Sequence, residues 1–144
     1  MMDNVFFNSS EVFVLDDDYL RFLKISALNH DLKRSRVCLH NENRESIQEM
    51  IIVAHQTSII QPHRHPVGKS ESYHVIEGSL VVNIFGDGGN IHRSINLYDK
   101  SNPKLYRISG GVWHQPVPQT EWVVYHEVFE GPFVKEIDVI YLDV

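Results

Sequence analysis

The sequence predicts an all-β domain, a small jelly-roll β-barrel with one short N-terminal helix, on three observations. Short segments rich in β-branched and aromatic residues recur along most of the chain, each closed by a turn signal. One stretch near the N-terminus carries apolar residues at helical spacing instead. Residues of metal-ligating type stand on separate candidate strands, and a curved sheet is needed to gather them around a cavity.

The helix begins at Asp16-Asp17-Asp18, which supplies a cap and negative charge for its first turn. Leu20, Leu23, Ala27 and Leu28 then recur on one face, and His30 and Asp31 fall beyond its end. Candidate strands follow over 36–40, 47–55, 58–63, 72–77, 80–85, 91–97, 105–108, 113–117 and 121–129. Pro62, Pro66-Val67-Gly68, Glu77-Gly78, Asp87-Gly88-Gly89-Asn90, Asn102-Pro103, Gly110-Gly111 and Gly131-Pro132 punctuate them. Gly78 suits a tight turn between two strands, where positive φ is open to glycine at little cost. Residues 134–144 alternate loosely and read as a last edge strand or a tail packed against a partner. The expected organisation is a single domain over 1–144: N-terminal strand and helix about 10–30, barrel about 35–133, edge segment 134–144.

A chain of 144 residues with 42% apolar and 22% charged residues has the composition of a soluble globular domain. Its one cysteine, Cys38, excludes an internal disulfide and fits a reducing cytoplasm. No apolar run approaches the roughly 18 residues of a membrane span, and Met1-Met2-Asp3-Asn4 lacks the features of a signal peptide. The net charge of −6, from 13 Lys and Arg against 19 Asp and Glu, argues against a nucleic-acid partner. Lys33-Arg34-Ser35-Arg36 is too short a basic cluster to change that; it reads as solvated or locally paired.

His63-Arg64-His65, Glu71 and His114 carry the chemistry. Two histidines one residue apart share a strand face, roughly 7 Å apart at Cα. A carboxylate and a third imidazole complete an N₃O set suited to a divalent transition metal: zinc, iron, manganese, nickel or copper. Pro62 and Pro66 bracket the pair and restrict it. His74 is a reserve ligand should the register shift. Ligating histidines donate their second ring nitrogen to an oxygen, and Gln48, Gln115 and Glu127 are the candidate outer partners.

His63-Arg64-His65, Glu71 and Gly78 resemble the first motif of the cupin superfamily, and Ser109-Gly110-Gly111-Val112-Trp113-His114 resembles the second. Ser109 stands where proline is usual, and five residues separate His65 from Glu71, one or two more than usual. Arg36 through His40, Gln48-Glu49-Met50, Pro62 through Pro66, Gly111 through His114 and Glu130-Gly131-Pro132-Phe133 look like the WbuC-type cupin-fold metalloproteins, over roughly residues 12–133. The resemblance implies a metal-binding cupin and, because such proteins are often encoded among bacterial O-antigen genes, sugar-nucleotide chemistry.

Arg36, Cys38 and His40 share one strand face, and Val37 and Leu39 the other. Either the apolar pair enters the core and the polar three face solvent, or the polar face turns to the cavity. In the second case Arg36 binds a carboxylate or phosphate and His40 moves protons. Tyr73 shares parity with Glu71 and is a second proton-transfer candidate; Trp113 is a candidate for stacking on a sugar. Trp122 and His126 read as packing and structural residues, and His30, His55 and His92 as surface residues.

The equipment suggests Lewis-acid isomerase or epimerase chemistry on a sugar or sugar nucleotide, without an organic cofactor. The alternatives are an iron-dependent dioxygenase and a non-catalytic metabolite sensor. A homodimer is expected, burying Val12-Phe13-Val14-Leu15 and Val139-Ile140-Tyr141-Leu142 across a two-fold axis. The alternative is that both ends fold back on their own barrel.

Overall fold

The computed structural model describes residues 2–143; Met1 and Val144, the outermost residues of the expected domain and edge segment, lie outside the described residues. Among the described residues, eleven strands and two helices follow one another as β1 Val5–Phe7, α1 Asp17–Leu28, β2 Arg34–Cys38, β3 Ile47–His55, β4 His63–Arg64, β5 Glu71–Glu77, β6 Ser79–Phe85, β7 Ile91–Tyr98, β8 Leu105–Ile108, β9 His114–Pro118, β10 Trp122–Glu130, α2 Lys135–Asp138 and β11 Ile140–Tyr141.

They form two sheets, ordered β1-β2-β3-β10-β5-β8 and β11-β4-β9-β6-β7. Every pairing is antiparallel except β1 with β2. This is the all-β jelly roll with a short helix that the sequence predicts. The core between the sheets contains Tyr73, Val75, Leu80, Val82, Leu97, Val123 and Tyr125. Alternation puts Val37, Ile51, Val53 and Val124 on the opposite side of the larger sheet, under Leu23 of α1.

The helix begins as its sequence dictates. The Asp16 carboxylate accepts from the Tyr19 N–H at 2.8 Å, and Asp17 and Asp18 fall in the positive first turn. Leu23, Ser26 and Ala27 are buried, whereas Leu28 lies off that stripe and is exposed.

Two segments differ from expectation, and a third adds a short helix to it. The predicted strand 58–63 survives only as His63 and Arg64. Pro62 lacks an N–H, and side chains bind the segment: Arg34 donates to the Ile59 carbonyl at 3.0 Å and Gln115 to the Ile60 carbonyl at 2.9 Å. At the other extreme, Val5–Phe7 forms an unforeseen edge strand, held because its backbone completes β2 in parallel. The 134–144 segment contributes the short helix α2 and then β11, paired to β4 with Tyr141 opposite His63.

Gly78 turns β5 into β6 at φ 84°, and a Cβ there would lie 2.2 Å from the Trp122 carbonyl oxygen. Positive φ and lack of space both require glycine.

Candidate metal centre and adjoining cavity

His63 on β4 pairs in register with His114 on β9, and their ring centroids stand 4.4 Å apart. His65 follows β4 directly, its ring 5.3 Å from that of His63. Glu71 opens β5 on the facing sheet, so its carboxylate approaches the imidazoles from across the barrel. Two glycines let the loop before β9 reach the HxH segment. A Cβ on Gly110 would fall 1.9 Å from the Pro66 carbonyl oxygen, and the Gly111 N–H donates to the His65 carbonyl at 2.7 Å.

Each histidine has its Nδ1 against a backbone carbonyl: His63 against Gln61 at 2.8 Å, His65 against Asp138 at 2.7 Å and His114 against Val112 at 2.9 Å. A carbonyl oxygen only accepts, so Nδ1 carries the proton and Nε2 presents a lone pair. One ligand atom from each ring lies within 4.8 Å of the other two. Glu71 bridges two of them, with Oε2 2.8 Å from His65 Nε2 and Oε1 2.6 Å from His114 Nε2. None of these four buried atoms completes a hydrogen bond of good geometry within the protein.

Lone pairs of imidazole and carboxylate facing one another at such distances require positive charge between them. The three imidazoles form a possible metal site, and a divalent ion there would supply that charge. Without metal, protons take the role. Burial pushes the Glu71 carboxyl up, but the close approach of the His114 and His65 rings outweighs it and holds the group well below the usual carboxylate range. Burial works against the His65 cation and the Glu71 contact overcomes it, so its pKa is raised. His63 is pushed down to about 4, by burial first and by His114 next.

Beside the imidazoles lies a cavity of about 130 Å³, walled by His63 and His65 together with Arg36, Cys38, His40, Gln48 and Glu127. Both alternatives for β2 therefore hold in part: Val37 is in the core beneath α1, and the polar face turns to the cavity rather than to solvent. The Arg36 Nε is buried and unpartnered. His40 has its Nδ1 3.0 Å from both the N–H and the C=O of Glu49, and burial lowers its pKa.

Glu127 shares its strand face with Tyr125 and Phe129, and its neighbours in register are Met50 and Tyr73. Burial, then the charge of Glu71, pushes its carboxyl up to about 8. The sequence offered a signal, an acid on the same face as three apolar residues, Val123, Tyr125 and Phe129. Glu127 belongs to the cavity wall, however, and not to the outer partners of the ligating rings. Gln48 and Gln115 bind other backbone carbonyls: Gln48 those of Asn43 and Glu45, Gln115 that of Ile60. Asp138, which receives the His65 proton, had no sequence signal at all.

Other candidates lie elsewhere. Tyr73 is 1% exposed, packed at tilted ring angles against Tyr106 and Tyr125 in the core, and does not wall the cavity. Trp113 carries the Arg64 guanidinium 4.4 Å over its ring, away from the cavity. His74 is exposed on the opposite face of β5. His126 is half-buried, 3.4 Å from the Glu49 carboxylate. A more open groove of about 250 Å³ between Ser46, Ser70, Arg107 and Glu130 includes Glu71 in its wall but none of the three imidazoles.

Known structures share this architecture. CapF from Staphylococcus aureus, described as a capsular polysaccharide assembling protein, aligns with a TM-score of 0.66 at 16% identity, over 81% of this chain and 34% of that one. An oxalate oxidase in complex with the substrate analogue glycolate aligns at 0.60 and 15% identity, over 79% of this chain and 57% of that one. The oxalate decarboxylase of Lactobacillus farciminis, in a formate complex, aligns at 0.54 and 20% identity, over 68% and 27%. These likenesses show the cupin fold, and the chain spans about a third of the CapF chain. No curated protein matches the sequence. The family model described as a domain of unknown function (DUF6016) matches residues 15–97, more than half of the sequence, and the chain belongs to that family.

Proposed function

We propose that this chain is a metal-dependent cupin enzyme acting on a sugar or sugar nucleotide in bacterial surface-polysaccharide biosynthesis, by isomerase- or epimerase-type chemistry. The observation that carries the proposal is the set of three imidazole lone pairs converging beside Glu71, two of whose rings, His63 and His65, also wall a cavity with Arg36, His40 and Glu127. His63, His65 and His114 would hold the ion, with Glu71 completing the set. Such an ion supplies Lewis acidity toward a carbonyl or hydroxyl oxygen.

The protein's own groups divide the remaining work. Arg36 offers an unpartnered donor to an anionic part of the substrate. Glu127 and His40 stand on the same cavity wall with their pKa values pushed in opposite directions, which suits one to hold a proton and the other to accept one. This replaces Tyr73, set back in the core, as the proton carrier. A cavity of about 130 Å³ is smaller than the ~300–1,000 Å³ of ordinary ligand pockets. A sugar nucleotide would therefore insert only part of its sugar and leave the nucleotide outside.

The likeness to WbuC-type proteins and the fold shared with CapF support the polysaccharide assignment. We place the protein in the cytoplasm as a homodimer, without nucleic-acid or membrane partners; among the described residues no helix is long and apolar enough to cross a membrane. Light scattering tests the dimer: a mass near the 16.7 kDa of one chain overturns it.

The functional test is exchange of substrate carbon-bound hydrogen in heavy water. Metal-loaded protein is incubated with a panel of nucleotide sugars and followed by mass spectrometry. Deuterium incorporation into one sugar supports epimerase or isomerase chemistry; binding without exchange across the panel overturns it. A second reading, the iron-dependent dioxygenase, draws on the same three-imidazole set, which leaves coordination positions open. It predicts oxygen uptake only with iron loaded.

A further inference from the structure

We infer that the C-terminal segment from Phe133 to Leu142 is a strap whose docking and metal binding form one coupled equilibrium, with Asp138 as the positioning residue. The inference rests on the metal-centre reading above and extends it to a part of the chain that lies outside both histidine motifs.

Besides the Phe133 N–H, which donates to the Asn43 carbonyl at 2.8 Å, the strap makes four sets of contacts that bear on the centre. The Asp138 carbonyl receives the His65 Nδ1 proton at 2.7 Å. Ile140–Tyr141 pairs with His63–Arg64, and the Leu142 N–H donates to the Pro62 carbonyl at 3.0 Å. Phe133 and Val139 wall the cavity. Finally, the Asp138 side chain is 2% exposed, with Lys69 Nζ 2.8 Å from its Oδ1 and the Val134 N–H donating to its Oδ2 at 2.6 Å. Lys69 also donates to the Pro132 carbonyl at 2.6 Å.

Lys69 sits in the loop that joins His65 to Glu71, so one partly buried ion pair ties the strap to the segment carrying two of the proposed ligands. A buried carboxylate keeps its place only with its partners. Those partners fix the peptide whose carbonyl sets the tautomer and orientation of His65. With the strap released, water or nothing replaces that carbonyl, and the His65 lone pair loses its aim. Removing such an outer partner lowers metal affinity by roughly 10–100-fold. Linkage makes the effect reciprocal: bound metal must hold the strap down by the factor by which the docked strap tightens the metal.

The test uses the full chain and Zn²⁺ alone. Zinc affinity, measured against a chromophoric chelator, should weaken by about 10–100-fold in Asp138→Ala. Asp138→Asn, which retains the acceptor for Val134, should fall between the two. In the wild type, hydrogen exchange of the β11 amides should slow on zinc saturation while the β6 and β7 amides do not change; this arm needs no variant to fold. Wild-type protein that binds no zinc overturns both the metal centre and the strap. Wild-type protein that binds zinc, with strap exchange unaltered by it or with Asp138→Ala affinity unaltered, overturns the strap alone.

Discussion

His114 Nε2 lies 2.6 Å from Glu71 Oε1, while the other nitrogen of the same ring is satisfied by the Val112 carbonyl. The two atoms come from facing sheets, and both are acceptors once the ring is neutral. A cation held by these groups would turn that opposition into coordination, and the consequences are measurable.

Replacing His63, His65 or His114 by Ala should each lower divalent-metal occupancy of purified protein by at least about tenfold, since each removes one of three imidazole ligands. Elemental analysis after dialysis reads the effect. Glu71→Gln should weaken binding less than any histidine change, because the amide keeps one oxygen acceptor. Wild-type occupancy in all three histidine variants would refute the centre.

Metal affinity should fall with pH. Imidazoles bind as neutral bases, so protons compete. His65 is raised above the ordinary 6.5 once Glu71 outweighs its burial, and it therefore begins to take a proton before pH has fallen that far. A titration from pH 8 to pH 5.5 should show progressive weakening; constant affinity over that range contradicts histidine ligation.

The metal-free protein should lose stability as pH rises, through Glu127. Its folded-state carboxyl, raised from 4.5 to about 8, keeps a proton that the unfolded chain has released. The stabilisation is complete below the unfolded value and is lost as pH climbs through about 8. Burial and then the charge of Glu71 disfavour the charged carboxylate, while His65, Arg36 and a hydrogen bond from Tyr73 oppose the shift. Glu127→Gln cannot ionise, so its melting temperature relative to wild type should rise between pH 5 and pH 8.5. A difference independent of pH would mean that Glu127 is ionised throughout.

Gly78→Ala should cost more than about 2 kcal/mol of folding stability, combining left-handed strain with a clash. The methyl would meet the Trp122 carbonyl oxygen at 2.2 Å, and backbone cannot rotate aside as a side chain can. Gly68, at φ 94° with open space around it, should cost less on the same change. Equal losses in chemical denaturation would show that strain, not the close approach, sets the cost.

Local rules reach a long way into this chain. Asp16 caps α1, β3 runs from Ile47 to His55 as its pattern requires, and Gly78 marks the β5–β6 turn. Capping, alternation and turn conformation are decided within a few residues, so the sequence by itself determines them and, through them, the all-β class. It also singles out His63, His65, Glu71 and His114 by residue type and spacing. Which face of β2 meets the cavity is a different matter: both faces are buried, one beneath α1 and one against the cavity, and alternation cannot rank them. Only the tertiary structure decided that Arg36 and His40 stand beside the imidazoles, that Tyr73 stands back in the core, and that Asp138 reaches His65 from 73 residues away. Strand pairing and the crossing of a distant segment depend on long-range contacts, whose partners no local period encodes.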